Sequence, residues 1–85
     1  MASITEIVKD IDTVFGEDAV MSRKAAIYLC HRYSGRKLRE IGDHFNTGES
    51  AVSQTSRRFG LVLNRDKGLR KKIEYIRDRL RLCCV

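Results

Sequence analysis

The residues best suited to specific chemistry lie in one polar stretch near the middle of the chain. They share one side of a helix that we expect from about residue 49 to 61: Glu49, Ser50, Ser53, Gln54 and Arg57. Glutamine can form two hydrogen bonds with adenine and arginine two with guanine, whereas serine can pair with several bases and glutamate accepts a hydrogen bond from cytosine. These residue types at this spacing predict a helix face that hydrogen bonds with base edges in the major groove of DNA.

Basic residues accompany this helix in the sequence. We expect them near the ends of three consecutive helices, where phosphates beside a groove would lie: Arg23, Lys24, Arg36, Lys37, Arg39 and Arg58. Contacts with phosphates hold a protein in register on the duplex without reading its sequence. Ser22 is the expected N-cap of the second helix, so the free backbone amides at Ser22, Arg23 and Lys24 are a further predicted contact with phosphate.

The distribution of charge favours a polyanionic partner. The chain of 85 residues has a formal net charge of +6. Residues 1–21 contain one basic and five acidic residues and sum to −4, so residues 22–85 sum to +10. Nucleic acid is the commonest partner of such a basic segment, and the acidic segment would not share the contact.

Apolar residues at helical spacing predict an all-α fold with five helices. The expected ranges are about 4–15, 22–34, 38–45, 49–61 and 67–82. Ser3 is the expected N-cap of the first helix, and Asn64 or Asp66 that of the last. A chain of 85 residues has room for one domain of this kind, and no proline interrupts the helical patterns.

The third and fourth helices and the turn between them have the pattern of a helix-turn-helix. Residues 38–59 read LREIGDHFNTGESAVSQTSRRF. Asn46 and Gly48 suit a tight turn because both residue types tolerate positive φ, and the small Gly42 is expected where the two helices cross closely. In this motif the second helix enters the major groove with its N-terminal half, and the first helix positions it.

Residues 23–45 carry a resemblance to a known family. Their sequence, RKAAIYLCHRYSGRKLREIGDHF, and the order of the helices resemble the C-terminal domain of the bacterial replication initiator DnaA, a Trp repressor-like helix-turn-helix domain. The likeness spans residues 4 to about 82. The later segment GESAVSQTSRRF also resembles a DnaA-like domain at the C-terminus of some proteins related to the REP-associated tyrosine transposases. The resemblance implies that the fourth helix reads the major groove and that Arg23 and Lys24 contact DNA, with an arginine in the minor groove.

The chain departs from the initiator family in two respects. The family has an Asp-His-Thr cluster at the start of its reading helix, whereas this chain has Gly48, Glu49 and Ser50 after a turn that is one residue shorter. A nucleotide-binding GxxxxGK[ST] segment is absent. The resemblance therefore implies duplex-DNA binding without the initiator's ATP-dependent part. The protein would be the targeting domain of a transposase-related or initiator-like bacterial protein, or a stand-alone transcriptional regulator.

The sequence predicts no chemistry of its own. No Ser-His-Asp, paired-carboxylate or Cys-His spacing favours catalysis, so we expect no enzyme, no cofactor and no small-molecule substrate. His31 and His44 lie on different helices without partners at ligand spacing, and no metal site is predicted. Reduced thiols are expected for the three cysteines, with Cys30 in the core.

Localisation and rival functions follow from the same features. The N-terminus lacks a secretory signal and no apolar run is long enough to cross a bilayer, so we expect a cytoplasmic protein without a membrane partner. A helical module that binds another protein through its first or last helix stays open as an alternative. An RNA binder is a second alternative, although no aromatic platform for bases is present. No heptad seam requires a dimer, and the oligomeric state is left open.

Overall fold

Apolar residues three and four apart place the helices, because these positions share one side of a helix. The computed structural model describes residues 4–80. The helices in this part of the chain are α1 (Ile4–Phe15), α2 (Ala19–Tyr33), α3 (Leu38–His44), α4 (Glu49–Arg65) and α5 (Lys67–Arg79). Residues 4–80 contain no strand, and the predicted all-α fold with five helices is confirmed.

The start of α2 differs from the prediction. Asp18 is its N-cap and accepts a hydrogen bond from the backbone N of Met21 at 3.0 Å, so the helix begins at Ala19. Ser22 lies inside the helix, where it is buried and donates a hydrogen bond to Asp12 Oδ1 of α1 at 2.6 Å. Its backbone N already donates to the Asp18 carbonyl at 2.9 Å. The predicted phosphate contact of a helix start at residues 22–24 is therefore wrong.

The remaining boundaries shift by a few residues. The fourth helix continues to Arg65, beyond the predicted end near residue 61, because Leu63 extends its buried stripe by another turn. The third helix ends at His44 instead of about residue 45, and the fifth helix ends at Arg79 instead of about residue 82. Asp66 caps the fifth helix by accepting a hydrogen bond from the backbone N of Leu69 at 3.0 Å, as one of the two predicted candidates. The N-cap prediction for Ser3 lies outside the described residues.

One hydrophobic core joins the inner faces of all five helices. On α4 the side chains of one face, at spacings of three and four, are buried: Val52, Ser56, Phe59 and Leu63. The other helices contribute buried residues that include Ile7, Ile11, Leu29, Cys30, Ile41, Ile73 and Ile76. Cys30 lies in the core as predicted, with no exposed surface.

The second helix is the centre of the arrangement. It makes its most extensive contacts with α4 and packs its other side against α1. The ring of Tyr28 on α2 lies 5.2 Å from that of Phe59 on α4, measured between centroids. The short α3 packs mainly against α4, whereas the acidic α1 contacts chiefly α2. Among the helices of residues 4–80, none is long and apolar enough to span a membrane.

Candidate nucleic-acid interface

The turn between α3 and α4 is closely packed against the end of α3. Asn46 adopts the left-handed conformation with φ 57°, and the backbone N of Thr47 donates to the Gly42 carbonyl at 2.8 Å. Gly48 is the N-cap of α4 with an extended backbone at φ −85°, so only Asn46 of the two predicted turn residues uses a positive φ. A Cβ on Gly42 would lie 2.6 Å from the Thr47 carbonyl oxygen. Gly42 is closely packed as predicted, but its neighbour is the backbone of the turn and not a helix that crosses it.

Arg23 stabilises the end of α3. Its Nη2 donates a hydrogen bond to the carbonyl oxygen of Phe45, the C-cap residue, at 3.0 Å. This carbonyl belongs to the last turn of α3, where the helix leaves its acceptors unpaired and attracts positive charge. The residue predicted to contact phosphate thus also connects α2 to the turn that precedes α4.

The five predicted base-reading residues all lie in the N-terminal half of α4, and all are exposed. At 100° per residue, Ser50, Gln54 and Arg57 project away from the core, and Ser53 lies on one flank. Glu49 lies in line with the buried stripe at the exposed helix start, so the prediction that it shares one side with the other four is wrong. None of the five side chains forms a hydrogen bond or an ion pair with another residue of the described chain. The overall diameter of an α-helix with its side chains, about 10–12 Å, matches the width of the major groove, about 12 Å.

The six predicted phosphate-binding residues are exposed, and they differ in their contacts. Arg23 bonds to Phe45 as described, and the Nη1 of Arg36 lies 3.5 Å from Glu40 Oε2 in a solvent-exposed pair. Such pairs contribute little to stability and leave the arginine available. The side chains of the other four have no charged or hydrogen-bonding partner within residues 4–80: Lys24, Lys37, Arg39 and Arg58.

These cations form two groups, one between the N-terminal half of α2 and α4, and one at the start of α3. Lys24 and Arg58 line the same groove, on the side of α4 that faces the N-terminal half of α2. Lys37 is the N-cap of α3, Arg36 precedes it and Arg39 lies in the first turn. Arg23 contacts the opposite end of α3, about 10 Å along the helix from these three residues.

A cleft on the opposite flank of α4 contains Arg32, a residue that the sequence did not single out. Its volume is about 520 Å³, and its lining includes His31, Arg32, Ser53, Arg57 and Asn64. His31 Nδ1 lies 2.8 Å from Ser56 Oγ, and the guanidinium carbon of Arg32 lies 5.6 Å from the centroid of the Tyr28 ring. The sequence contains a pattern that could have identified Arg32. Lys24, Tyr28 and Arg32 are spaced four residues apart, so Arg32 lies on the same side of a helix as the predicted phosphate-binding Lys24.

Burial shifts the pKa of two groups on α2. Burial raises the pKa of the Tyr28 phenol, an effect that the positive charge of Arg32 opposes. Burial also raises the pKa of the Cys30 thiol to about 12. Within residues 4–80 no group of three histidine, cysteine, aspartate or glutamate side chains is arranged to hold a metal ion.

Comparisons with known proteins add no relative to this description. No protein-family model matches the chain, and neither a curated protein nor a solved structure has significant similarity to it.

Proposed function

We propose that this protein binds duplex DNA in a sequence-specific manner, with α3 and α4 acting as a helix-turn-helix and the N-terminal half of α4 lying in the major groove. One observation carries the proposal. The first half of α4 presents polar side chains that are exposed and unpartnered within residues 4–80, while the opposite face of the same helix is held in the core. A helix that is fixed on one side and free to hydrogen bond on the other is what base reading requires.

The proposed base contacts follow from the positions on α4. Gln54 and Arg57 are the strongest candidates, because both project away from the core and each can form a pair of hydrogen bonds with one purine. Ser50 lies on the same outer face, with a shorter reach. Ser53 and Glu49 are proposed at the edges of the contact, where Glu49 also complements the positive end of the helix dipole.

The proposed phosphate contacts surround this helix. Lys24 and Arg58 would hold one strand, and Arg36, Lys37 and Arg39 would approach the backbone from the start of α3. Arg23 would combine its bond to Phe45 with a phosphate contact, since a guanidinium has five N–H donors. The acidic α1 packs chiefly against α2 and is not proposed to contact DNA. Neutralised phosphates would supply most of the affinity, which should fall steeply with salt.

The wider role that we propose rests on the resemblance to the DnaA C-terminal domain. The protein would direct a transposase-related or initiator-like bacterial protein to its DNA, or would act alone as a transcriptional regulator. It would have no catalytic function itself. The partner would be duplex DNA in the cytoplasm.

Selection of duplexes from a random pool, repeated at two salt concentrations, tests the proposal. We expect one motif of a few base pairs, whose symmetry would show whether one or two copies bind. On that motif Gln54→Ala should lose about 1–3 kcal/mol of discrimination at one base pair. Lys24→Gln should weaken binding to all sequences alike and reduce the salt slope by about one.

The matched control is Lys9→Gln, which removes one exposed positive charge from α1. It should change neither the motif nor the salt slope. Binding without any preferred motif would contradict base reading by α4. No binding at low salt would contradict the proposed function as a whole.

A second candidate function, binding to another protein, has one observation in its favour. Large apolar side chains are exposed at Val20, Leu61, Val62 and Tyr75. Val62 lies in a groove of about 700 Å³ between the α1–α2 turn and the start of α5. The exposed residues belong mainly to α2 and α4, whereas the sequence favoured the first or last helix for this function. A protein that binds no duplex and co-purifies with a defined partner would support it.

A further inference from the structure

The second helix crosses behind α4, and its two halves emerge on opposite flanks of that helix. Lys24 shares a groove with Thr55 and Arg58 on one flank. Arg32 shares the cleft with Ser53 and Arg57 on the other flank. At 100° per residue, positions 55 and 58 lie on the opposite side of the α4 axis from positions 53 and 57. The proposed reading helix thus lies between two sources of positive charge that belong to one element.

We infer that Arg32, with His31, binds a backbone phosphate of one DNA strand while Lys24 and Arg58 bind the other strand. The inference rests on the proposed function and adds a second phosphate site to it. Lys24 and Arg32 are eight residues apart on α2, which is a rise of about 12 Å. The major groove of duplex DNA is about 12 Å wide between its two backbones. The backbone positions of the two residues are therefore separated by about the width of the groove in which α4 is proposed to lie.

The position of Arg32 is tied to the core. Its guanidinium lies over the Tyr28 ring, and that ring packs against Phe59 of α4. An arginine held over an aromatic face keeps its N–H donors free at the edge of its plane. Arg32 has no acidic partner within the described residues, and the cleft has no aspartate or glutamate in its lining. Its charge is therefore available to an anion.

The imidazole of His31 lies in the same cleft, and Nε2 is a donor in the tautomer in which Nδ1 accepts from the Ser56 hydroxyl. Its Nδ1 is 2.8 Å from Ser56 Oγ, which orients the ring and leaves Nε2 without a partner in the described residues. Asn64 and Ser53 add neutral polar groups to the lining. Two positively charged arginines, an imidazole and neutral donors without any carboxylate favour a phosphate oxygen as the ligand.

Duplex DNA fits this arrangement better than RNA does. Ser53 and Arg57 form part of the cleft and also belong to the proposed base-reading set, so the ligand must offer phosphates directly beside base edges. In duplex RNA the major groove is too narrow for side chains to read. The separation between Lys24 and Arg32 corresponds to the open major groove of B-form DNA.

Measurements of affinity against salt test the assignment on the duplex that the unaltered protein selects. Arg32→Gln should reduce the salt slope by about one, as Lys24→Gln does, without changing the preferred motif. Between 50 and 200 mM salt, one lost phosphate contact reduces the fall in affinity by a factor of about 3–4. Lys9→Gln is the control with the same change of charge. An Arg32→Gln slope equal to that of Lys9→Gln would overturn the inference.

Duplexes with one neutral methylphosphonate assign the strand. A neutral linkage on the strand that faces the cleft should weaken binding by the unaltered protein and by Lys24→Gln strongly, and by Arg32→Gln less, because only His31 remains there. A neutral linkage on the other strand should weaken Arg32→Gln more than Lys24→Gln, which retains only Arg58 on that strand. Equal losses for the two variants on each strand would overturn the inference. Thermal unfolding checks each variant, and Arg32→Lys, which keeps the charge, should retain the slope if the glutamine variant is unstable.

The failure of this inference is distinct from that of the proposed function. No binding of any duplex by the unaltered protein overturns both. Specific binding by the unaltered protein, with an unchanged salt slope for Arg32→Gln, overturns the second phosphate site alone. Tighter binding to an RNA duplex of the selected sequence than to the DNA duplex overturns the assignment to the DNA backbone.

Discussion

Replacement of Gly42 by alanine should destabilise the protein through the turn before α4. The new Cβ would lie 2.6 Å from the Thr47 carbonyl oxygen, whereas real Cβ contacts essentially never fall below 3.0 Å. The turn must therefore move by at least about 0.4 Å. Backbone cannot rotate away as a flexible side chain can, and overpacking of this kind costs about 1–3 kcal/mol.

The net effect of Gly42→Ala combines this cost with a gain. Alanine is favoured over glycine in a helix by about 1 kcal/mol, so we expect a net loss of roughly 0–2 kcal/mol. Gly60→Ala on α4 is the matched control, because its Cβ would meet only the Tyr28 Cε1 at an ordinary 3.5 Å. Gly60→Ala should therefore be neutral or stabilising. The difference between the two variants isolates the crowding and should be about 1–3 kcal/mol.

Urea and thermal unfolding, followed by circular dichroism, measure this difference. For a domain of this size 1 kcal/mol shifts the Tm by about 4–8 °C, so Gly42→Ala should melt well below Gly60→Ala. The same displacement moves the start of α4, and DNA specificity should weaken in Gly42→Ala but not in Gly60→Ala. Equal stability of the two variants would refute the reasoning, because it would mean that the turn yields without cost.

Three further predictions concern the cap of α5, the core thiol and the contact between α2 and α4. Asp66→Ala removes the side chain that accepts from the Leu69 backbone N and should cost about 1 kcal/mol in urea unfolding, whereas Asp66→Asn should retain most of the stability. Burial raises the pKa of Cys30 to about 12, so at pH 8 its thiol should be alkylated only when the protein unfolds. Mass spectrometry of the Cys30 peptide measures the rate of alkylation, and a rate equal to that of a free thiol would contradict the burial of Cys30. Because this folded pKa exceeds the ordinary value of 9.0, the stability it contributes should be present below pH 9 and lost as the pH rises toward 12, which unfolding at a series of pH values would detect. Ser56→Ala breaks the bond to His31 and should cost about 0.5–1.5 kcal/mol; thermal unfolding at the unaltered Tm would show that the bond contributes nothing.

Helical faces were predictable because periodicity is a local property of the chain. The spacing of Val52, Phe59 and Leu63 indicates the buried side of α4, and the five predicted base-reading residues of this helix are exposed. Cys30 entered the core for the same reason. The chemistry proposed for α4 depends on side-chain type and on this periodicity, and both are present in the sequence.

Helix boundaries were less predictable where two residues could serve the same role. Asp18 and Ser22 both have side chains that can cap α2, and the sequence favoured Ser22. In the folded chain the Ser22 hydroxyl donates a hydrogen bond to Asp12 of α1, ten residues earlier, and Asp18 caps α2. A contact between two helices decided the boundary, and no pattern within α2 alone contains it.

The sequence by itself determined the five-helix composition, the buried faces and the excess of positive charge after residue 21, because each depends on residue types and on spacings of three or four. The crossing of α2 behind α4 was decided only by tertiary structure. That crossing places Lys24 and Arg32 on opposite flanks of α4 and gives Arg23 the Phe45 carbonyl as its partner. The packing of two helices around a shared core decides which side of one helix a residue of the other helix contacts. The spacing of residues along one helix does not specify this packing.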